Sequence, residues 1–327
     1  MAKVLLTGAS GFVGSFITEE LVRNGYQVYV TLRKGSSTKW IDGLPLTPIY
    51  VDLNSTSEIQ NLLQENKFSY IIHNAGLTRH PDEHELVKVN ASILENFVNV
   101  INQIEEKPQK FIFISSLAAY GSAENQRQGI VNRESIPKPL TAYGRSKLKA
   151  EEIIAGAKFS YVILRPTAVY GPREKDLYTL FKTINMGLDA KVGNGQKLTF
   201  IFVKDLSKVI VCCLKVNLKH LSYFVSDTNL YSSDYFSEVI AKSLGKKTLK
   251  ITLPQFLVKI ICKTNDAAGK VFGFHPLLNG DKFNEISAKS WNCYSEDLWE
   301  ELAIKPEYSL EKGVKETSEW YKKEGWL

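Results

Sequence analysis

The chain has 327 residues, 44% of them hydrophobic and 23% charged, with a formal net charge of +6. That is a globular balance with material for one large or two moderate domains. No run of lysine and arginine interleaved with aromatics forms a nucleic-acid stripe, and no apolar run reaches the length of a membrane span. Four cysteines, Cys212, Cys213, Cys262 and Cys293, form no C-x-x-C pair and no metal-ligand spacing with the five histidines, so no metal is expected and reduced thiols suit a cytoplasmic protein.

The first apolar run, Val4 to Leu6, begins so near the start that no signal peptide is expected before it. It leads into Thr7-Gly8-Ala-Ser10-Gly11-Phe12-Val13-Gly14, and Phe12, Val13, Phe16, Ile17, Leu21 and Val22 then recur at helical period. Strand, glycine turn and helix together aim free backbone N–H groups and a positive helix end at a phosphate. Gly8, Ser10, Gly11, Phe12, Val13 and Gly14 are therefore expected around a dinucleotide. Further strands are predicted at Gln27–Leu32, Pro48–Val51, Tyr70–Asn74, Lys110–Ser115 and Tyr161–Arg165, with helices near 12–24, 56–66, 84–105 and 142–157.

This alternation predicts an α/β fold: a Rossmann-like doubly wound parallel sheet, with a smaller mixed α/β C-terminal domain. Residues 1–172 would bind the dinucleotide and 173–327 the substrate, with segments around 200–225 returning to the sheet. The helix near 84–105 carries apolar residues on two faces, and its second face calls for a partner; a homodimer would supply one.

The end of the second strand separates the two nicotinamide cofactors. No acid stands there to bind the ribose hydroxyls of NAD; Arg33 and Lys34 do, followed by Ser36 and Ser37. An arginine fork suits the 2′-phosphate of NADP, so NADP is expected, with NAD the alternative. Asp52 and Leu53 would meet the adenine edge, and Asn74, Ala75 and Gly76 the ribose and nicotinamide side.

The reactive groups follow the fifth strand. Ser116 stands at its end, and Tyr143 and Lys147, spaced i, i+4, share a helical face. A tyrosine is a weak base near neutrality, and a nearby ammonium favours its phenolate. Ser116 would hold the substrate oxygen as an oxyanion donor does.

With Leu164-Arg165-Pro166-Thr-Ala-Val169-Tyr170-Gly171-Pro172, these motifs resemble the extended short-chain dehydrogenases/reductases, the NAD-dependent epimerase/dehydratase family, and the likeness runs almost end to end. The resemblance implies that Tyr143 is the acid/base, that Lys147 binds the nicotinamide ribose and tunes it, and that Ser116 positions the substrate. It adds Ser115, Pro166 and Val169 to the cofactor contacts and puts Asn90 at the inner helix of a dimer interface.

Sugar dehydratases of that family carry Asp-Glu after the catalytic hydroxyl; here Leu117-Ala118 follows. Nucleotide-sugar enzymes grip the diphosphate with an arginine two residues before the position of Phe200. Here that residue is Leu198, no arginine follows Arg173, and Lys191 or Lys197 would have to substitute. The nearest branch is that of dihydroflavonol reductases and hydroxysteroid dehydrogenases, with Pro254–Cys262 and Phe272–Leu278 as an apolar lid. The expected activity is hydride transfer between NADP(H) and a secondary alcohol or ketone. A nucleotide-sugar epimerase and a non-catalytic dinucleotide sensor are the alternatives. Arg79, His80 and His275 receive no role.

Overall fold

A computed structural model describes residues 1–193, 195–272, 276 and 278–327. Six strands alternate with helices through the first half: β1 (Lys3–Thr7), β2 (Gln27–Leu32), β3 (Leu46–Tyr50), β4 (Tyr70–His73), β5 (Lys110–Ile114) and β6 (Tyr161–Pro166). The sheet order is β3-β2-β1-β4-β5-β6, extended beyond β6 by the strand Ser222–Val225. All its pairings are parallel, from Val4 beside Val28 and Tyr70 to Tyr223 beside Leu164. The order reverses between β1 and β4, and sheets of this kind bind ligands at the carboxyl ends of the strands that flank such a reversal.

Alternation along the strands divides the core in two. Val4 and Leu6 face one layer, packed by α1 (Phe12–Arg23), the helix Val203–Lys215 and the helix Glu296–Leu302. Leu5 faces the other, under α2 (Thr56–Asn66), α4 (Ile93–Gln103) and α5 (Ala142–Ile154). Burial on both faces accounts for near-continuous runs such as Lys110-Phe-Ile-Phe-Ile114.

The segment expected as one helix near 84–105 is α3 (Glu83–Val87), a π-turn over Lys88–Ser92, and α4. Its two apolar faces are both covered within the chain: Leu86, Val89, Ile93, Leu94, Phe97, Val98, Val100 and Ile101 are buried, between α2 and α5. The stripe is wide because two helices, rather than one, flank it, so its width by itself does not call for a second subunit.

A third core holds the C-terminal part together. Tyr170, Phe200 and Phe202, from two paired short strands, pack with Phe181, Phe236 and the returning helix Leu310–Lys323. Under the main sheet lies a buried ion pair: Arg165 Nε and Nη2 donate to both carboxylate oxygens of Glu151 at 2.8–3.1 Å, and Nη1 donates to Ser222 Oγ at 3.0 Å. The guanidinium also lies 4.4 Å from the Tyr120 ring centroid. Because Arg165→Leu strands a carboxylate in the interior, urea unfolding should show a loss of about 3–5 kcal/mol; a loss below about 1 kcal/mol would mean that water reaches Glu151.

Candidate active site

The glycine turn is shaped by close approach. Gly8 has φ +72°, and a Cβ there would lie 2.8 Å from the backbone of Ala75; a Cβ on Gly14 would lie 2.0 Å from the Gly8 carbonyl oxygen. Gly11 is the N-cap of α1 and brings no side chain to it, and the first turn carries no acid. The helix start thus presents unsatisfied N–H groups and partial positive charge beside Ser10, Phe12 and Val13. Asn74 Nδ2 donates to Gly8 O at 3.2 Å and Ala75 N to Thr7 Oγ1 at 3.0 Å, which locks the ends of β1 and β4 together.

Arg33 and Lys34 stand exposed in the turn after β2. Six of the eight arginines are ion-paired; among the described residues Arg33 and Arg127 have no carboxylate partner. Asp52 accepts from Asn54 N at 3.0 Å and Asn54 Nδ2 at 2.8 Å, and these bonds hold its carboxyl below the ordinary range. Its carboxylate is therefore turned into its own loop. Leu53 is half-buried, with its carbonyl held by Asn96.

The three side chains expected to carry the chemistry lie around the end of β5. Ser116 Oγ caps a short turn by accepting from Ala118 N at 3.1 Å, and it lies near enough to the Tyr143 phenol to favour its ionised form. Tyr143 lies in the first turn of α5, which Thr141 caps by accepting from Gly144 N at 3.0 Å. Lys147, one turn on and buried, donates to the Ile114 carbonyl at 2.8 Å. Burial pushes the Tyr143 phenol up to about 12, with the Ser116 hydroxyl opposing. Burial pulls the Lys147 ammonium down to about 8, with the Glu151 charge opposing. The tyrosine is held as the neutral phenol near the Ser116 hydroxyl, and the weakened cation of Lys147 sits one helical turn on, bonded to the end of β5.

Two groups in this framework carry more than their sequence positions suggested. Asn90 is fully buried rather than turned to an interface. Its Oδ1 accepts from Leu77 N at 2.7 Å, and its Nδ2 donates to Leu77 O and Ser146 Oγ, both at 2.8 Å. Ser146 Oγ in turn donates to the Tyr143 carbonyl, so Asn90 ties the loop after β4 to the first turn of α5. The signal was a lone amide inside an apolar stripe. Gly144 lets that turn press on the loop after β5, since a Cβ would lie 2.3 Å from Ala118 O. Gly76 is similarly close to Asn90 Oδ1 and Lys147 Nζ, at 2.9 and 3.4 Å from a Cβ.

Other expected residues are engaged elsewhere. The Ser115 hydroxyl donates to buried Glu151, so its side chain is not brought to the crevice. Pro166 ends β6 beside Val225, and Val169 is half-buried opposite Ile201. Arg79 pairs with Asp176, and His80 closes a local turn with Asp82. His275 and part of Phe272–Leu278 lie outside the described residues. In the other half of the expected lid, Val258 and Cys262 are buried, but Phe256, Leu257, Ile260 and Ile261 stand exposed. A groove of about 700 Å³ between Asp227, Trp299 and Tyr308 contains none of the trio and lies outside this site.

A parallel sheet that reverses at β1 and β4, over a glycine-lined helix start, defines a dinucleotide-binding α/β enzyme. The model of the NAD dependent epimerase/dehydratase family matches residues 4–223, and the chain belongs to that family. It is 27% identical to UDP-glucose 4-epimerase of Vibrio cholerae over 97% of this chain and 94% of that one. It is 25% identical to ceramide reductase of Caulobacter vibrioides, over 99% and 96%. Among solved structures, the UDP-glucose 4-epimerase of Thermotoga maritima with UDP-glucose superposes with a TM-score of 0.77 at 20% identity, over 98% and 99% of the two chains. That likeness concerns the fold. Among the described residues no helix is long and apolar enough to cross a membrane.

Lys147 gives the site a pH signature. Its folded pKa of about 8 lies below its ordinary 10.5, so between those values the unfolded chain binds more protons and stability rises with pH. Relative to Lys147→Met, the unaltered protein should therefore gain stability from pH 8 to 10, on the order of 2 kcal/mol. Parallel urea titrations would contradict this if the difference were flat or fell.

Proposed function

We propose that the chain is an NADP(H)-dependent oxidoreductase acting on a secondary alcohol or ketone, with residues 1–172 holding the cofactor and 173–327 the substrate. The observation that carries this reading is the convergence of Ser116, Tyr143 and Lys147 at the end of β5. The nearby cradle in which Gly8 and Gly14 admit no Cβ fits a pyrophosphate. When bound, a reduced nicotinamide supplies the hydride. Ser116 Oγ donates to the carbonyl oxygen and fixes its position. As hydride adds to the carbonyl carbon, the C=O π pair moves to oxygen, and the Tyr143 hydroxyl delivers the proton that makes the alcohol. Lys147 faces the resulting phenolate with its ammonium and lowers the cost of that charge until water reprotonates it.

Several features favour a carbonyl substrate over a nucleotide-sugar. Leu117-Ala118 offers no carboxyl pair for elimination. Lys191, a substitute for the missing arginine, donates to both oxygens of Asp234 at 2.9 and 3.0 Å. Relatives named ceramide reductase and sterol-4-alpha-carboxylate 3-dehydrogenase have names that imply no nucleotide-sugar; the second, from Dictyostelium discoideum, is 30% identical over 63% of this chain and 66% of that one. The epimerase reading keeps its support in the Vibrio relative. Steady consumption of NADPH with a carbonyl substrate separates the two, because an epimerase returns its hydride.

Tyr143→Phe should lower kcat by about 10²–10⁴-fold with cofactor binding retained; an unchanged rate would leave only a sensor. In fluorescence titrations NADPH should bind more tightly than NADH, and Arg33→Ala should weaken NADPH about 10–100-fold while sparing NADH. Preference of the unaltered protein for NADH would overturn the assignment of Arg33.

A further inference from the structure

The helix Gln255–Phe272 is inverted relative to an ordinary surface helix. Its buried contacts run through Val258 and Cys262, whereas Phe256 is 68% and Ile260 53% exposed, with Leu257 and Ile261 beside them. The preceding strand Leu249–Leu253 adds exposed Leu249 and Ile251, and Met186, next to the Gly187 carbonyl that accepts from Leu249 N, adds another. Large apolar side chains are left in water along Leu249–Ile261, with Met186 beside them.

The stretch itself is strongly basic, although Asp189 and Glu238 from neighbouring elements act on Lys250. Residues 239–265 contain six lysines (Lys242, Lys246, Lys247, Lys250, Lys259 and Lys263) and no aspartate or glutamate. Lys250 is paired with Glu238; the other five have no ion-pair partner among the described residues. The single acid of the helix, Asp266, is turned inward to the Gly280 amide at 2.9 Å. An apolar face on a stretch rich in lysines suits a surface that is apolar within and anionic outside.

We propose that this face docks the protein, lying flat, on an anionic phospholipid bilayer. A span is excluded by the helix's own length and charge. A second copy is a poor occupant, because a two-fold contact would set lysines against lysines. The docking face also adjoins the chemistry. The short helix Gly280–Ser287 packs against the same helix Gln255–Phe272, and Asp281 accepts from Ala142 N at 2.7 Å while Asn284 donates to Leu140 O at 3.2 Å, at the start of α5. Delivery of a lipid-borne ketone to Tyr143 would follow; that consequence, unlike the docking, rests on the oxidoreductase reading.

Vesicle flotation of the full chain tests the docking without any activity. The protein should float with phosphatidylcholine/phosphatidylglycerol vesicles at least about tenfold better than with phosphatidylcholine alone, and less in 0.5 M salt. Phe256→Ser with Ile260→Ser should cut flotation by about tenfold or more, and Lys259→Glu or Lys263→Glu by about fivefold each, with NADPH binding and melting temperature unchanged. Flotation that ignores the anionic lipid or the substitutions would overturn the proposal. So would sedimentation showing a dimer that Phe256→Ser with Ile260→Ser dissociates, since a second copy would then own the face.

Discussion

The structure depends on how closely α1 approaches the ends of β1 and β4. A single methyl at Gly14 would collide with the Gly8 carbonyl, and one at Gly8 would meet Ala75 across the strand gap. Side-chain-free backbone at these points brings a helix N-terminus to the place where the strand order reverses. The hydrogen bonds from Asn74 to Gly8 and from Ala75 to Thr7 then fix the separation of the two strands. A larger residue would move the helix end away from the crevice, and the field it supplies would weaken with that distance.

Beneath the crevice, buried polar groups hold α5 in place. Glu151 on that helix is bound by Arg165 of β6 and by Ser115, while Ser146 is bound by Asn90 from the π-turn. These groups are costly to bury and are satisfied in one arrangement of the neighbouring elements. They set the rotation of the helix that presents Tyr143 and Lys147. The ion pair thus orients Tyr143 and Lys147 from outside the proposed site, and the glycine at 144 lets α5 press close to the loop after β5.

The C-terminal part is organised differently. Its aromatic core around Tyr170, Phe200 and Tyr321 is well buried, but the layer formed by Leu249–Leu253 and Gln255–Phe272 exposes its apolar side chains. A well-packed apolar interior sits beside a surface that leaves apolar side chains in water. Such a contrast marks an outer face that meets something other than bulk water. The arginines tell a parallel story: most are used internally, and Arg33 is left to solvent at the crevice end of β2.

Strand and helix periodicity, the glycine spacing and the residue types at strand ends were readable along the chain, because each depends on near neighbours. So the doubly wound sheet, the family and the grouping of Ser116, Tyr143 and Lys147 could be inferred from 327 letters. Periodicity shows that Val98 or Ile101 must be covered, but not by what, so the apolar helix suggested a second subunit where α2 and α5 suffice. Asn90 and Ser115 looked like residues of an interface and a cofactor contact; only contacts with Leu77, Ser146 and Glu151, distant in sequence, turned them inward. Which apolar side chains of Gln255–Phe272 face water was likewise decided by packing. Local order is written in adjacent residues, whereas the partner of a buried polar group or an apolar face is chosen only when remote segments compete for the same space.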